Sequence, residues 1–310
     1  MNEIATCMHG FAPVDRSGLA LHDAPAETWA GVFAEAAGLG FSAIEIADSH
    51  IRPGHLDVRR LTELTGAAAS AGVRPVAVHV QRKSIIDPCL GEDNLAYAHA
   101  TIDAAAALGC TVFSTGLHQP FSEEQKRALW FWTTPGWTDP DDPEVRELAV
   151  TRFRELGEHA ASVGLRMSLE MYEDTYLGTA DSAVALVEQI GLDNVGLNPD
   201  IGNLIRLHRP IEDWREMYEK TLPYANYWHM KNYQRDEAGD GSWFTSHPST
   251  LELGLIDYRA VVKRSVELGY TGPYLMEQYG GDSLGVCAMN MRYLEGLLGR
   301  TPVSSESGAR

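Results

Sequence analysis

The stretch 225–235, ANYWHMKNYQR, ends an apolar and aromatic run in two residues that can do chemistry, His229 and Lys231. Two positions apart on a strand, they face the same way. A lone histidine beside a core strand is more often a hydrogen-bonded structural residue than a ligand. Its meaning therefore depends on what the neighbouring strands deliver. Three further strand-like segments end in carboxylates: SLEMYED offers Glu170, GLNPD offers Asp200 and YLMEQ offers Glu277. Glu170, Glu277 and His229 each follow apolar strand sequence, which brings charge toward the core unless something pairs it. Three carboxylates and one imidazole form a hard-to-borderline ligand set. It suits one divalent cation, Mn2+ first, with Mg2+, Co2+ or Zn2+ also accommodated. The ordinary alternative is that such acids cap the next helix or pair with arginine.

Other candidates surround these four. His79 and His118 end two earlier strands and can serve as hydrogen-bond donors or bases. Glu45 and His9 hold similar strand ends. Lys231 can stabilise a developing alkoxide or bind a substrate oxygen, or it can be a solvated lysine or a carboxylate partner. Trp132, with Trp130, Trp137 and Trp243, can stack on a sugar or an aromatic aglycone; an oligomer interface uses the same residue types.

These side chains need a scaffold that points them at one another. The sequence predicts strands over 4–8, 42–47, 74–80, 111–117, 166–171, 195–198, 225–230 and 274–276. Helices are expected over 25–39, 56–71, 93–108, 143–163, 180–190, 211–221, 257–268 and 284–298, several of them stopped by glycine, as at Gly40 and Gly109. Two long loops, 119–142 and 233–255, carry most of the tryptophan. Eight strands alternating with eight helices, with no composition break, predict a single (β/α)8 TIM barrel over 1–300 with long loops after strands four and seven, and a flexible tail over 301–310. In that fold the chemistry sits at the C-terminal ends of the strands. An open doubly wound sheet is the rival, but the first strand is followed by no glycine-rich phosphate fingerprint.

Composition narrows the function. The net charge of −18 argues against a nucleic-acid partner. With 44% hydrophobic and 22% charged residues, and no apolar run of about 18, the chain reads as globular and outside the membrane. MNEIATCMHG does not resemble a signal peptide, so a cytoplasmic location is expected. Cys7, Cys89, Cys110 and Cys287 lack metal-binding spacing and are expected to be buried, reduced thiols.

Four segments carry a family resemblance: GLGFSAIEIAD, GLDNVGLNPDIGN, YWHMKN and GLIDYRAVVKRSVELGYTGPYLMEQY. Together they resemble the xylose isomerase-like barrels, sugar isomerases and epimerases grouped with endonuclease IV. The resemblance implies that Glu170, Asp200, His229 and Glu277 hold one divalent cation per subunit. It also implies that the two glutamates flank the substrate as acid and base, and that Arg235 contacts a substrate oxygen. Homo-oligomers are common in the family. The chain departs from the pattern at two substrate-binding positions. Asn203 stands where many members have histidine, and Tyr176 where the ketohexose epimerases have an acid. Asn203, Lys231 and the acidic charge argue against a nuclease.

The implied activity is that of a metal-dependent isomerase or epimerase of a ketose or related oxo-sugar, working by proton abstraction next to a carbonyl and an enediolate. Glu170 removes the proton and Glu277 returns one on the other face, with Lys231 and His118 assisting. The alternative is a lyase on the same scaffold. It would be a dehydratase of an oxo-polyol, or the catalytic subunit of a C-glycoside deglycosidase with a small partner subunit. A non-catalytic barrel would have no use for the intact set of four ligands.

Overall fold

In a parallel barrel each strand is buried on both faces, so it reads as a short, nearly continuous apolar run rather than as an alternation. The chain has eight such runs. The computed structural model describes residues 2–15 and 17–299; the expected tail over 301–310 lies outside the described residues. In chain order the strands are β1 (Ile4–Cys7), β2 (Ala43–Ala47), β3 (Arg74–His79), β4 (Val112–Thr115), β5 (Arg166–Glu170), β6 (Val195–Asn198), β7 (Trp228–Met230), β8 (Asn232–Glu237), β9 (Phe244–Ser249) and β10 (Tyr274–Met276). All but β8 and β9 are parallel and run in the order β6-β5-β4-β3-β2-β1-β10-β7. A parallel bridge from Leu197 to Ala225 brings β6 back to the segment entering β7. The result is the expected (β/α)8 barrel.

The helices are α1 (Ala26–Gly38), α2 (Val58–Ser70), α3 (Gly91–Ala107), α4 (Glu123–Arg127), α5 (Pro143–Ser162), α6 (Ala180–Ile190), α7 (Gly202–Ile205), α8 (Trp214–Thr221), α9 (Tyr258–Glu267) and α10 (Ser283–Leu297). Their starts follow side-chain caps. Asp57 accepts from Arg60 N and Asp213 from Arg215 N, so α2 and α8 begin later than hydrophobic periodicity suggests. Among the described residues no helix is long and apolar enough to cross a membrane. All four cysteines are free; Cys7, Cys110 and Cys287 are buried as expected, and Cys89 is exposed.

Inside the barrel the strands carry small or flat residues at the bottom and titratable ones at the top. A separate inner cluster contains Ala5, Cys7, Ala43, Val76, Ala77, Val112, Tyr227 and Leu275. One pleat further along the same inward face stand Glu45 after Ala43, His79 after Ala77, His229 after Tyr227 and Glu277 after Leu275. The period of two thus converts four apolar strand starts into a polar upper layer.

Two expectations need correcting, both of them long loops. β7 ends at Met230, where the sequence predicts its end, and the chain then turns into β8, which pairs antiparallel with β9 from Asn232↔Ser249 to Glu237↔Phe244. The expected loop 233–255 is therefore largely a β-hairpin, its turn served by Gly241 at φ 71°. Asn232 fixes the hairpin base. Its amide donates to Leu251 O and Ile256 O, at 3.0 and 2.9 Å, and its carbonyl accepts from Tyr233 N and Ile256 N, at 3.0 and 3.1 Å. The other loop, 119–142, contains α4 and a single turn at Phe131–Thr133. Trp132 Nε1 in that turn donates to Ser246 Oγ at 3.0 Å and ties the loop to the hairpin.

Replacing the buried Asn232 with alanine strands several backbone groups at once, and each such group costs about 1–3 kcal/mol. Urea denaturation of Asn232→Ala should show a loss of about 2–4 kcal/mol. An unchanged midpoint would mean that the hairpin base is held by something else.

Candidate metal centre and active site

Four consecutive strands around the barrel, β5, β6, β7 and β10, bring Glu170, Asp200, His229 and Glu277 together. One donor atom from each lies within 4.8 Å of all the others. All four residues are buried, Asp200 completely. The His229 backbone N–H donates to Asn198 Oδ1 at 2.7 Å, which sets β7 against β6. Its ring Nδ1 lies 3.1 Å from Glu277 Oε2 and 3.6 Å from Glu170 Oε1. On the far side, Nε2 lies 2.9 Å from Glu45 Oε2, which also accepts the Tyr227 hydroxyl at 2.9 Å. A carboxylate behind the ring is placed to hold a proton on Nε2, so that Nδ1, which faces the cluster, is the nitrogen available to a metal once its own proton leaves.

Glu170 is gripped from two sides. His79 Nε2 and His118 Nε2 each lie 2.9 Å from its Oε2, while Asn203 Nδ2 donates to Oε1 at 3.0 Å. His79, His118 and Glu170 form a second close group of potential ligand atoms, and Glu45, His79 and His229 a third. Lys231 is 1% exposed, which removes the reading of a solvated lysine. Its Nζ sits 2.6 Å from Asp200 Oδ2 and 2.9 Å from Glu277 Oε2. His9 Nδ1 approaches Glu277 Oε1 at 3.4 Å.

Burial disfavours every charge in this layer, and neighbours decide which survive. Burial pushes the Glu170 carboxyl up, but His79, His118 and His229 outweigh it and hold it well below the usual range. Glu277 is likewise held low against burial, by Lys231, His229 and His9. Burial also opposes the charge on His229, yet Glu45, Glu170 and Glu277 keep the imidazole well above its ordinary value. Lys231 is raised against burial by Asp200 and Glu277. Asp200 goes the other way: burial first, then Glu277 and Glu170, push it up to about 7 in spite of Lys231. Its Oδ1 has no hydrogen-bond partner among the described residues, and Oδ2 faces the Lys231 ammonium at 2.6 Å and, more distantly, His229 Nδ1 at 3.9 Å. A buried acid with an orphaned oxygen, pressed by two ionised glutamates, marks a layer short of positive charge. The donor set therefore fits a divalent cation held by Glu170, Asp200, His229 and Glu277.

The other expected residues divide. His79, His118, Asn203 and Lys231 join the cluster. Trp132, 4% exposed, roofs it beside Tyr233 and Tyr279, with ring centroids 5.3 and 6.1 Å away. Arg235 is not brought there. Because the chain leaves the barrel after Met230, its guanidinium binds Ile205 O, Leu207 O and Arg209 O and pairs with Glu237. Tyr176 also lies elsewhere; its hydroxyl donates to Pro140 O at 2.6 Å and anchors the end of loop 119–142. Tyr227 escaped the sequence reading, although its position two before His229 was a usable signal. Gly202 escaped it too. A Cβ there would lie 2.5 Å from Lys231 Cγ and 3.0 Å from Asp200 Oδ1, so only glycine lets the segment after β6 pass beneath the lysine.

Fold and site together define a (β/α)8 barrel with a carboxylate–imidazole centre at its C-terminal rim. The profile of the xylose isomerase-like TIM barrel family matches residues 33–296, and the chain belongs to that family. It is 44% identical to a xylose isomerase-like TIM barrel protein from Mycobacterium smegmatis, crystallised in complex with magnesium. That comparison covers 96% of this chain and 97% of the other, with a TM-score of 0.91. The fold is shared with D-psicose 3-epimerase from Clostridium cellulolyticum at 16% identity and a TM-score of 0.68, over 96% of this chain and 99% of that one. It is also shared with 3-keto-D-glucoside 4-epimerase from E. coli, at 16% identity and 0.64, over 96% and 100%. A probable L-ribulose-5-phosphate 3-epimerase of Mycoplasma pneumoniae is 29% identical over 75 residues, 24% of this chain; the chain spans only 25% of that relative's length.

A cation must displace the protons held by Asp200 and His229. Apparent affinity for Mn2+ should therefore rise as pH increases from 6 to 8, by about tenfold per unit for each proton displaced. Calorimetry in buffers of different ionisation enthalpy should show proton release. Binding that is equally tight at pH 6 and 8, with no protons released, would contradict the charge assignment.

Proposed function

We propose that the protein is a divalent-metal-dependent isomerase or epimerase of a ketose or related oxo-sugar. The observation that carries this reading is that two buried glutamates, Glu170 and Glu277, stand at the two ends of an arc of four potential ligands whose donor atoms lie within 4.8 Å of one another. Imidazoles and an ammonium hold both carboxylates in the ionised, proton-accepting form but weaken them as bases, so proton abstraction depends on acidification of the C–H. When bound, the cation supplies Lewis acidity to a carbonyl oxygen and so acidifies the adjoining C–H.

The chain's own residues supply the rest. Glu170 takes the carbon-bound proton, while His79 and His118 orient its carboxylate from behind. Glu277, ionised at rest, must first take up a proton, for which the Lys231 ammonium 2.9 Å from its Oε2 is the nearest source, before it returns one to carbon on the other side. The same ammonium can donate to oxygen as negative charge grows there. Trp132, Tyr233 and Tyr279 exclude water from the layer, which strengthens each of these interactions. A lyase shares the first step and then expels a leaving group. It is favoured by the room that loop 119–142 leaves beside the centre.

Recovered ketose or oxo-glycoside should gain deuterium from D2O. Glu170→Gln and Glu277→Gln should each reduce that exchange by about 10²–10⁴-fold while the metal stays bound. His229→Ala should lose the metal by elemental analysis. Lys231→Met should lower kcat by about 10²-fold with metal retained. Unchanged product mass identifies an isomerase, and a lower mass a lyase. Full activity of metal-free Glu277→Gln would defeat both readings.

A further inference from the structure

Beside the metal layer, above the ends of β4 and β5, loop 119–142 lines an open pocket of about 170 Å³ together with residues 172–175 and 207–209. A cavity of about 150 Å³ takes a benzene ring, so this one has room for one six-membered ring. Its lining combines the aromatic side chains of Trp132, Trp137 and Tyr172 with the polar groups of Gln119, Arg82 and Glu173. Trp132 is stacked on Trp130 and Arg82 lies over the Tyr172 ring, so Trp132 and Tyr172 are held in place and Trp137 is the ring left open at the rim. Aromatic lining with a few placed polar groups makes a binding pocket rather than a packing fault.

Two features point to a polar ligand. Gln119 is 7% exposed, and its Nε2 has no hydrogen-bond partner among the described residues. A buried amide donor without a partner is costly unless a ligand or water receives it. Trp137 is 47% exposed at the rim, so its face is open to be covered.

The charges say what the ligand is not. Arg82 donates to Gln119 O at 3.2 Å and to the Tyr172 hydroxyl at 2.5 Å. Arg209 is paired to Asp174 at 3.1 and 2.6 Å, and Glu173 is held from behind by Arg206 at 3.3 and 3.1 Å. A phosphate would meet two carboxylates and guanidinium groups already engaged. A neutral ring bearing hydroxyls fits, because carboxylate, guanidinium and amide groups each accept or donate to vicinal hydroxyls.

The cavity adjoins the reacting centre. Gln119 follows His118 directly, and Tyr172 follows Glu170 by two residues. The Tyr172 ring stands edge-on to His118 with centroids 4.5 Å apart. We infer that this cavity is a second subsite that takes a pyranose ring next to the metal centre, so that the substrate is a glycoside rather than a free monosaccharide. The orientation of that substrate rests on the oxo-sugar chemistry proposed above; the occupant of the cavity does not.

The test is a tryptophan-fluorescence titration of the metal-loaded protein. The probes are methyl glucopyranosides, methyl galactopyranoside, methyl mannopyranoside and inorganic phosphate. At least one pyranoside should saturate and phosphate should not. Gln119→Leu and Trp137→Ala should each shift that midpoint at least tenfold with metal content unchanged. The subsite is overturned if no pyranoside saturates up to about 0.1 M, if phosphate competes, or if both variants bind as the parent does. Because the titration reads binding without turnover, failure of the isomerase reading leaves it informative. Deuterium exchange into a free ketose by a protein that binds no pyranoside would remove the subsite alone.

Discussion

Four carboxylates buried in one layer of a barrel are the constraint on which the rest of the structure depends. Glu45, Glu170, Asp200 and Glu277 would repel one another and destabilise the fold if left uncompensated. Every nearby cationic or protonatable group serves to offset them. His79 and His118 hold one oxygen of Glu170, Lys231 lies between Asp200 and Glu277, and His229 lies between Glu45 and the cluster. The compensation is incomplete at Asp200, whose Oδ1 is left without a partner among the described residues. The deficit of positive charge is therefore localised, and it coincides with the ring of four donor atoms.

The barrel makes this arrangement possible through its period. Inward positions at the bottom are filled by alanine, valine and cysteine together with the larger Tyr227 and Leu275, which pack the interior. The next inward position on each strand has no equivalent apolar demand, since it opens toward the loops. Chemistry and stability thus occupy successive pleats of the same strands. The roof completes the separation. Trp132, fastened to Ser246, packs against Tyr233 and Tyr279 above the layer.

Much of this was legible in the sequence, for physical reasons. Glu170, Asp200, His229 and Glu277 betray themselves because charged residues at the ends of apolar strands are rare without a partner. The eight-fold alternation is legible because glycine stops and hydrophobic runs recur at short spacing. What was not legible depends on tertiary pairing. The end of the strand carrying His229 at Met230 was legible, but nothing local says that the chain then enters a second strand rather than a loop. The partner that diverts it, Phe244–Ser249, lies beyond a turn and reads as loop because it mixes histidine, serine and proline with its aromatics. Arg235 and Tyr176 were misplaced for the same reason, since their positions follow from where each chain segment turns. Glu45 drew less weight than it merits, because its role appears only once Tyr227 and His229 are seen to share it.

The break after Met230 has a mechanical side. A single residue, Lys231, separates the strand that holds His229 from the hairpin that secures the roof. The residue whose ammonium bridges Asp200 and Glu277 is thus also the joint from which the hairpin departs, so a change in the path of the hairpin at its base bears directly on the neutralisation of the interior.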